Sequence, residues 1–377
     1  MVYYARRLRR LYQLMLEERL DGLVYGIGPD LRYFTGLAVN WRRESEPATP
    51  NALLAVTADG TPRLLIERSL LELAGGSPVP CEVVSSPGEL TQALARFLRK
   101  GRIGISRPAA QYLSEVVAAA LPDAECVDAE HLTVPLRMIK DETEIAALRR
   151  VVALTDRVMD HVIDHVRPGI TQEGLEELIA QTGVGWGAAD VSFPPAGKFV
   201  QTGSEPAADP FTYPPDQGLV PRSSIAFDFG FVLDGYCSDF GRSFYCGPAP
   251  EHIAGAYRAL QEAQCHLIDQ MAPGRLKLGE MFDVLEAALD ERGYGDRLRA
   301  RLPEGNLGHQ IGIDLHENPW LRSECDVPLQ EGMVMAIEPK VWLPGHYYLR
   351  VEDIVLVTAD GAESLTKFDR TLFELPT

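Results

Sequence analysis

The sequence predicts a two-domain protein of mixed class, a small α/β domain followed by a larger α+β domain built from two similar halves. Three observations lead there. At 377 residues the chain is too long for one ordinary hydrophobic core. Its first 135 residues alternate short apolar runs suited to strands with amphipathic runs suited to helices. Further on, Arg167-Pro168-Gly169-Ile170-Thr171 and Ala272-Pro273-Gly274-Arg275-Leu276 each stand as a turn between two helical patterns, an echo that a duplicated half would leave.

In order along the chain, Tyr3 to Arg19 carries Leu8, Leu11, Leu14 and Met15 at helical spacing among Arg and Glu, and predicts a helix. After Asp21-Gly22, LVYGI predicts a short buried strand, and PDLRYFTGL a turn leading into a helix or loop. ALLAVTADGTPRLLIE predicts two strands around an Asp59-Gly60 turn. A helix over LTQALARFLRK, a strand at GRIGIS and a helix ending near Ala120 complete the domain. It contains no Gly-rich phosphate loop and no nucleophile elbow. Arg32, Tyr33, Trp41 and Arg42 are read as structural or dimer-contact residues ahead of pocket residues.

The boundary is placed after Pro135, giving domains 1–135 and 136–377. Pro135 is expected to end the first unit, and the Asp141-Glu142 pair suits the amino terminus of the next helix. Between the halves, residues 192–216 (SFPPAGKFVQTGSEPAADPFTYPPD) are rich in Pro and Gly and are read as a long binding loop near the site.

Composition excludes several classes of function. A formal net charge of −18 argues against nucleic acid or an anionic membrane as partner. No apolar run approaches the roughly 20 residues of a membrane span, and the charged amino terminus lacks the apolar core of a signal peptide. Six scattered cysteines without a CxxC pair fit a reducing cytosol and suggest no disulfide framework. A cytoplasmic location is expected.

The chemistry centres on IAFDFGFVLDGYCSDFGRSF, residues 225–244, where Asp228 and Asp239 stand in apolar, strand-forming surroundings. A buried carboxylate is costly unless something positive neutralises it, and two close together raise that cost. Downstream, His309 and His316 lie in GHQIGIDLHENP, Glu338 ends the apolar run MVMAIEP, and Glu352 sits in LRVEDIVLVT. Carboxylates with imidazole suit Mn, Co, Zn or Fe. Four carboxylates and one histidine are too many for a single catalytic zinc and about right for two ions sharing ligands. Taken singly, each residue has a plainer reading: a strand Asp is more often an edge or bulge residue, and a lone histidine a satisfied structural one. His161 and His165, four apart on one helix face, lack acidic partners and are read as solvent-exposed. Cys237 and Cys246 are read as buried apolar fillers.

The order Asp, Asp, His, Glu, Glu within DFG, SDFGRSF, GHQIGIDLHE, IEP and RVED resembles the pita-bread metallopeptidases: methionine aminopeptidase, Xaa-Pro dipeptidase, aminopeptidase P and relatives. GLVYG and PDLRYFTG resemble, more weakly, the amino-terminal domain of creatinase and prolidase. The resemblance implies a creatinase-like domain followed by a pita-bread catalytic domain, a homodimer, and two divalent ions (Mn, Co or Zn). It implies Asp228, Asp239, His309, Glu338 and Glu352 as metal ligands, with Asp239 and Glu352 bridging. It further implies His316 donating to the substrate carbonyl, Glu338 handling the proton of the attacking water, and hydrolysis of small peptides of Xaa-Pro type. Arg350, two residues before Glu352, is expected on the same side of one strand, orienting a ligand carboxylate or binding a substrate carboxyl. Arg322 is a looser choice for the substrate.

Two features depart from the family pattern. No histidine occurs between His165 and His252, where many members carry one that contacts substrate; Asp209 or Tyr213 falls nearby. Lys340 stands in EPK where dipeptidases usually have glycine, and is read as pairing with a substrate carboxylate or facing solvent. Both departures favour an alternative, hydrolysis of a non-peptide metabolite on the same scaffold, as in ectoine hydrolase. A metal-free relative, like creatinase, is disfavoured by the five intact ligands.

Overall fold

The computed structural model describes residues 2–39, 51–106, 110–206, 216–299 and 306–377. Trp41, Arg42, Asp209 and Tyr213 lie outside the described residues. The chain separates into two compact units, Met1–Arg137 and Met138–Thr377.

In the first unit, α1 (Val2–Glu17) buries Leu11 and Met15 from its apolar stripe. Strand β1 (Gly22–Gly26) follows, then α2 (Pro29–Thr35), β2 (Ala52–Thr57), β3 (Pro62–Glu67) and β4 (Cys81–Val84). Helix α3 (Pro87–Phe97), β5 (Arg102–Ile105), α4 (Ala110–Ala120), β6 (Glu125–Asp128) and α5 (Glu130–Met138) complete it. The strands form one sheet in the order β4-β3-β2-β1-β5-β6, with the fully buried β1 antiparallel to β2 and parallel to β5. The Asp59-Gly60 turn joins β2 to β3, and Gly60 takes the positive φ of 81° that it needs. Tyr33 is buried; its hydroxyl donates to the Leu136 carbonyl at 2.8 Å, and its own carbonyl accepts from Arg7 at 3.0 Å. Its role is structural. Pro135 does not end this unit, because α5 runs through it to Met138. A proline at the sixth helical position forfeits one backbone bond, and burial of Leu132, Thr133 and Leu136 offsets that loss.

The second unit opens with α6 (Glu142–Ile163), capped by Asp141, whose side chain accepts from the Thr143 and Glu144 amides while Glu144 reaches back to the Asp141 amide. Then come α7 (Gln172–Gly185), β7 (Asp190–Val191), β8 (Ala196–Gln201), β9 (Ser223–Phe229), β10 (Phe231–Leu233), β11 (Tyr236–Cys237) and β12 (Phe240–Cys246). Helices α8 (Glu251–Gln270) and α9 (Glu280–Asp290) lead to β13 (Leu298–Arg299), β14 (Gly308–Gln310), β15 (Glu317–Trp320) and β16 (Val334–Ile337). The chain closes with β17 (Lys340–Leu343), β18 (Tyr347–Arg350), β19 (Asp353–Val357), β20 (Ala362–Ser364) and β21 (Phe373–Leu375).

The two halves repeat one plan. A helix pair, α6 and α7 or α8 and α9, precedes a sheet, ordered β21-β12-β9-β8 in the first half and β15-β14-β16-β19-β20 in the second. The two Pro-Gly turns match bond for bond. The Gly169 amide donates to the Leu219 carbonyl and the Gly274 amide to the Leu329 carbonyl, both at 2.8 Å. Isolated bridges Thr171↔Gly218 and Lys277↔Pro328 sit beside them.

Strand alternation decides which residues face the helices. Ile225, Phe227 and Phe229 of β9 join Val158, Leu175 and Ile179 in one core. Met335 and Ile337 of β16 join Tyr257, Leu260 and Leu285 in the other. The intervening residues, Asp228 and Ala336 among them, point to the opposite faces. Residues 192–216 are not one long loop, since AGKFVQ forms β8 and pairs with β9 along its whole length. Their Pro and Gly content masked a strand.

Candidate metal centre

Asp228 lies near the end of β9, paired with Gly241 of β12, and Asp239 comes one residue before β12. The hairpin between them turns at Asp234-Gly235, both at positive φ (53° and 80°), the geometry of a tight two-residue turn. Glu338 follows directly on β16, and Glu352 directly precedes β19. The duplicated plan therefore brings one acid from the end of a strand and one from the start of its neighbour in each half. His309 lies on β14 beside Ala336 of β16. Asp228, Asp239, His309, Glu338 and Glu352 are all buried. Carboxylate oxygens of Asp228, Asp239 and Glu352 come within 4.8 Å of one another.

His309 Nδ1 lies 3.0 Å from the Gln310 carbonyl, which can only accept, so Nδ1 carries the proton. Nε2 then faces the acids, 3.4 Å from Asp239 Oδ2 and 3.8 Å from Glu338 Oε1. Arg350 is buried among the carboxylates. Its Nη2 stands 2.8 Å from Glu338 Oε2 and 2.6 Å from Glu352 Oε2, and its Nη1 contacts Asp228. Burial pushes the Asp239 carboxyl up, with the Asp228 charge adding to it. Burial pushes Glu352 well up too, only partly countered by Arg350. Glu338 goes the other way: its burial is outweighed by the charges of Lys340 and Arg350, which hold it far below the carboxylate range.

Two expectations need correction. LRVEDIVLVT is not one strand; it breaks between β18 and β19, which lie in different sheets. Arg350 meets Glu352 across that break and not by the every-second-residue rule. Lys340 neither faces solvent nor stands free for a substrate carboxylate. It is 2% exposed and its Nζ bonds Glu338 Oε2.

A cavity of about 250 Å³ opens onto these residues, lined by Phe193, Pro194, Asp228, Asp239, His309, Leu315, His316, Glu338 and Arg350. His316 is exposed at its rim, its ring 4.4 Å from that of His309 and 5.0 Å from that of Trp320. Arg322 lies beyond, over the Trp320 ring, and does not line the cavity. The His161 and His165 rings lie 4.2 Å apart, tilted by 39°, the first half-buried and the second exposed, and neither lines the cavity. Cys237 and Cys246 are fully buried.

Sequence reasoning missed Phe193, Pro194 and Leu315 as walls, which no spacing rule marks. It also missed Arg242. That guanidinium is fully buried and donates to the Gly241, Glu352, Phe368 and Asp369 carbonyls and to Asp353 Oδ1 at 2.8 Å. An arginine within SDFGRSF at the centre of an apolar run was the available signal.

The residues fit a divalent metal. His309 Nε2 and Glu352 Oε1 are buried without a hydrogen-bond partner, an arrangement that costs free energy unless a cation completes it. The hard-oxygen and imidazole donor set is the kind such ions take.

Comparison with known proteins agrees. The family model for metallopeptidase family M24 matches residues 146–359, and that for the creatinase/prolidase N-terminal domain matches residues 7–139. An uncharacterized peptidase of Staphylococcus aureus (strain MSSA476) is 28% identical over 345 residues, covering 90% of this chain and 92% of the relative. Dipeptidase PepE from Mycobacterium ulcerans superposes with a TM-score of 0.82 at 28% identity, over 100% of this chain and 99% of that one. An Xaa-Pro dipeptidase from Bacillus anthracis shares the fold, with a TM-score of 0.84 at 22% identity over 99% of this chain and all of that one. With the family model spanning most of the second unit around this cluster of acids, the chain belongs to metallopeptidase family M24.

Proposed function

We propose that the protein hydrolyses short peptides, Xaa-Pro dipeptides foremost, at two divalent ions of Mn, Co or Zn type held by Asp228, Asp239, His309, Glu338 and Glu352. The observation that carries this is the convergence of acids from both halves on one small cavity, with His309 Nε2 turned toward them.

When bound, divalent metal supplies an acidified water as nucleophile and an electrophile for the scissile carbonyl. The protein's own groups do the rest. Glu338 Oε1 accepts the proton of the attacking water and passes it to the leaving nitrogen. His316, at the cavity rim, donates to the carbonyl oxygen as negative charge develops there. Arg350 fixes the ligand carboxylates; three of them already engage it, which favours that role over binding a substrate carboxyl. Phe193, Pro194 and Leu315 form an apolar wall that suits a prolyl ring and excludes water.

A cytoplasmic homodimer belongs to the same proposal. The dimer rests on family resemblance, and the compartment on six cysteines of which none is disulfide-bonded. A second reading, hydrolysis of a non-peptide metabolite, rests on the two departures from the family pattern, Lys340 in place of glycine and no histidine between His165 and His252. Parallel assay of an Xaa-Pro dipeptide, a longer Xaa-Pro peptide and an N-acetylated diamino acid, each with Mn, separates the readings. Turnover of the dipeptide supports the first, and turnover of the acetylated compound alone supports the second.

A further inference from the structure

The loop between β14 and β15, residues 311–316, places Leu315 and His316 on the cavity wall. The His316 side chain is exposed beyond its contacts with His309 and Trp320, so the backbone that carries it decides where the ring can reach. The next residue, Glu317, is buried, and both of its carboxylate oxygens are engaged. Oε1 accepts from the Asp314 amide at 3.1 Å, closing the loop on itself, and Oε2 lies 3.4 Å from Lys140 Nζ. Lys140 is buried too. It stands next to Asp141, the cap of α6, and its own amide donates to the Gly332 carbonyl at 2.9 Å. The loop under His316 is therefore tied through one carboxylate to the start of α6.

The loop is shaped around that carboxylate. A Cβ at Gly312 would stand 2.9 Å from each Glu317 oxygen, so a side chain there would push the carboxylate off its partners. The Gly312 amide donates to the Asp314 carbonyl at 3.0 Å, and the Leu315 amide to Asp314 Oδ1 at 3.0 Å. A buried ion pair is a poor device for stability alone, since an apolar pair of the same size often serves as well. An apolar residue in place of Glu317 would lack one thing, the acceptor that holds the Asp314 amide.

We propose that Glu317, anchored by Lys140, is a positioning residue for His316. The buried carboxylate holds the loop shut and so sets where the imidazole meets the substrate. The proposal rests on the functional reading above, in which His316 donates to the carbonyl oxygen. It adds two residues outside the cavity lining that fix that donor in place.

Two paired variants separate positioning from plain stability. Lys140→Met with Glu317→Gln, and Lys140→Met with Glu317→Leu, both remove the ion pair at similar volume. Only the glutamine pair keeps an acceptor for the Asp314 amide. Both are expected to hold as much Mn²⁺ as the wild type. On an Xaa-Pro dipeptide the leucine pair is expected to lower kcat by about 10–100-fold with KM little changed, and the glutamine pair to recover most of that loss. Added to His316→Ala, the leucine pair is expected to cause no further loss, because its effect passes through His316. Should either pair fold poorly, Gly312→Ala presses on the same carboxylate and is expected to lower kcat with metal content unchanged. Equal kcat in the two pairs, an unchanged kcat in Gly312→Ala, or a full further loss beside His316→Ala would overturn the proposal and leave the functional reading standing. If Mn-loaded wild type turned over no dipeptide, the functional reading would fall. Amide hydrogen exchange then decides the positioning: it is expected to be faster from Asp314 to His316 in the leucine pair than in the glutamine pair, and equal exchange would overturn it.

Discussion

The backbone amide of Glu352 donates to the carbonyl of Gly241 at 2.8 Å, so the strand starts that carry one acid of each half are tied together by main chain. Arg242 reinforces the tie by donating to both the Gly241 and the Glu352 carbonyls. Backbone geometry thus places Asp239 and Glu352, while Arg350 holds the carboxylates of Asp228, Glu338 and Glu352.

Gly241 tolerates no side chain. A Cβ there would stand 2.6 Å from Arg350 Nε and 2.9 Å from Glu352 Oε2. Gly241→Ala is expected to lower stability by about 1–3 kcal/mol and to weaken Mn²⁺ binding at least about tenfold by pushing both groups aside. Thermal unfolding and metal titration check this, and an unchanged metal affinity would count against the geometry.

Arg242 is fully buried against Asp353 and four carbonyls. Arg242→Met leaves those acceptors without their donor and is expected to cost about 3–5 kcal/mol. Denaturant unfolding of the variant measures it. A loss below about 1 kcal/mol would mean that the network is not what holds Glu352.

His316 packs beside His309 and Trp320 at the rim of the cavity. His316→Ala is expected to lower kcat by about 10²–10³-fold, as for other donors to a developing oxyanion. Metal content should stay unchanged. Loss of metal in this variant would move His316 from substrate contact to ligand.

How legible all this was depended on the residue. Charged side chains in apolar runs stand out, so the four acids and the imidazole were visible in the sequence along with the turns of the duplication. Contacts made through tertiary folding were not. Lys340 meets Glu338 where Pro339 separates two strands of different sheets, a break that periodicity does not reveal. Strand β8 was hidden because Pro194 and Pro195 stand directly before it and Gly197 within it, and only pairing with β9 shows Ala196–Gln201 to be a strand. The cavity walls Phe193 and Leu315 are ordinary apolar residues until the fold places them beside the acids.

Asp156 gives a pH-dependent test away from the metal. It is buried and accepts from the Lys367 amide at 2.7 Å, and burial pushes its pKa up to about 6. With the folded pKa above the unfolded value, both states bind the proton at low pH and no penalty applies. As pH rises from the ordinary carboxylate range through about 6, the folded state resists ionisation and stability falls. Asp156→Asn keeps the acceptor and removes the titration. Relative to wild type it is expected to gain up to about 3 kcal/mol between pH 4 and pH 8, read by denaturant unfolding at each pH. A pH-independent difference would contradict the buried-carboxylate account.

The central claim is metal-dependent hydrolysis of a short peptide at the carboxylate cluster. Its most direct test is turnover of an Xaa-Pro dipeptide by Mn-loaded wild type, by chelator-stripped wild type and by Asp239→Ala, with bound metal counted in each. The account expects kcat above about 1 per second for the loaded enzyme, loss on stripping with recovery on adding Mn, and no turnover by Asp239→Ala. Full turnover by Asp239→Ala with its metal still bound, or by the stripped enzyme, would contradict it.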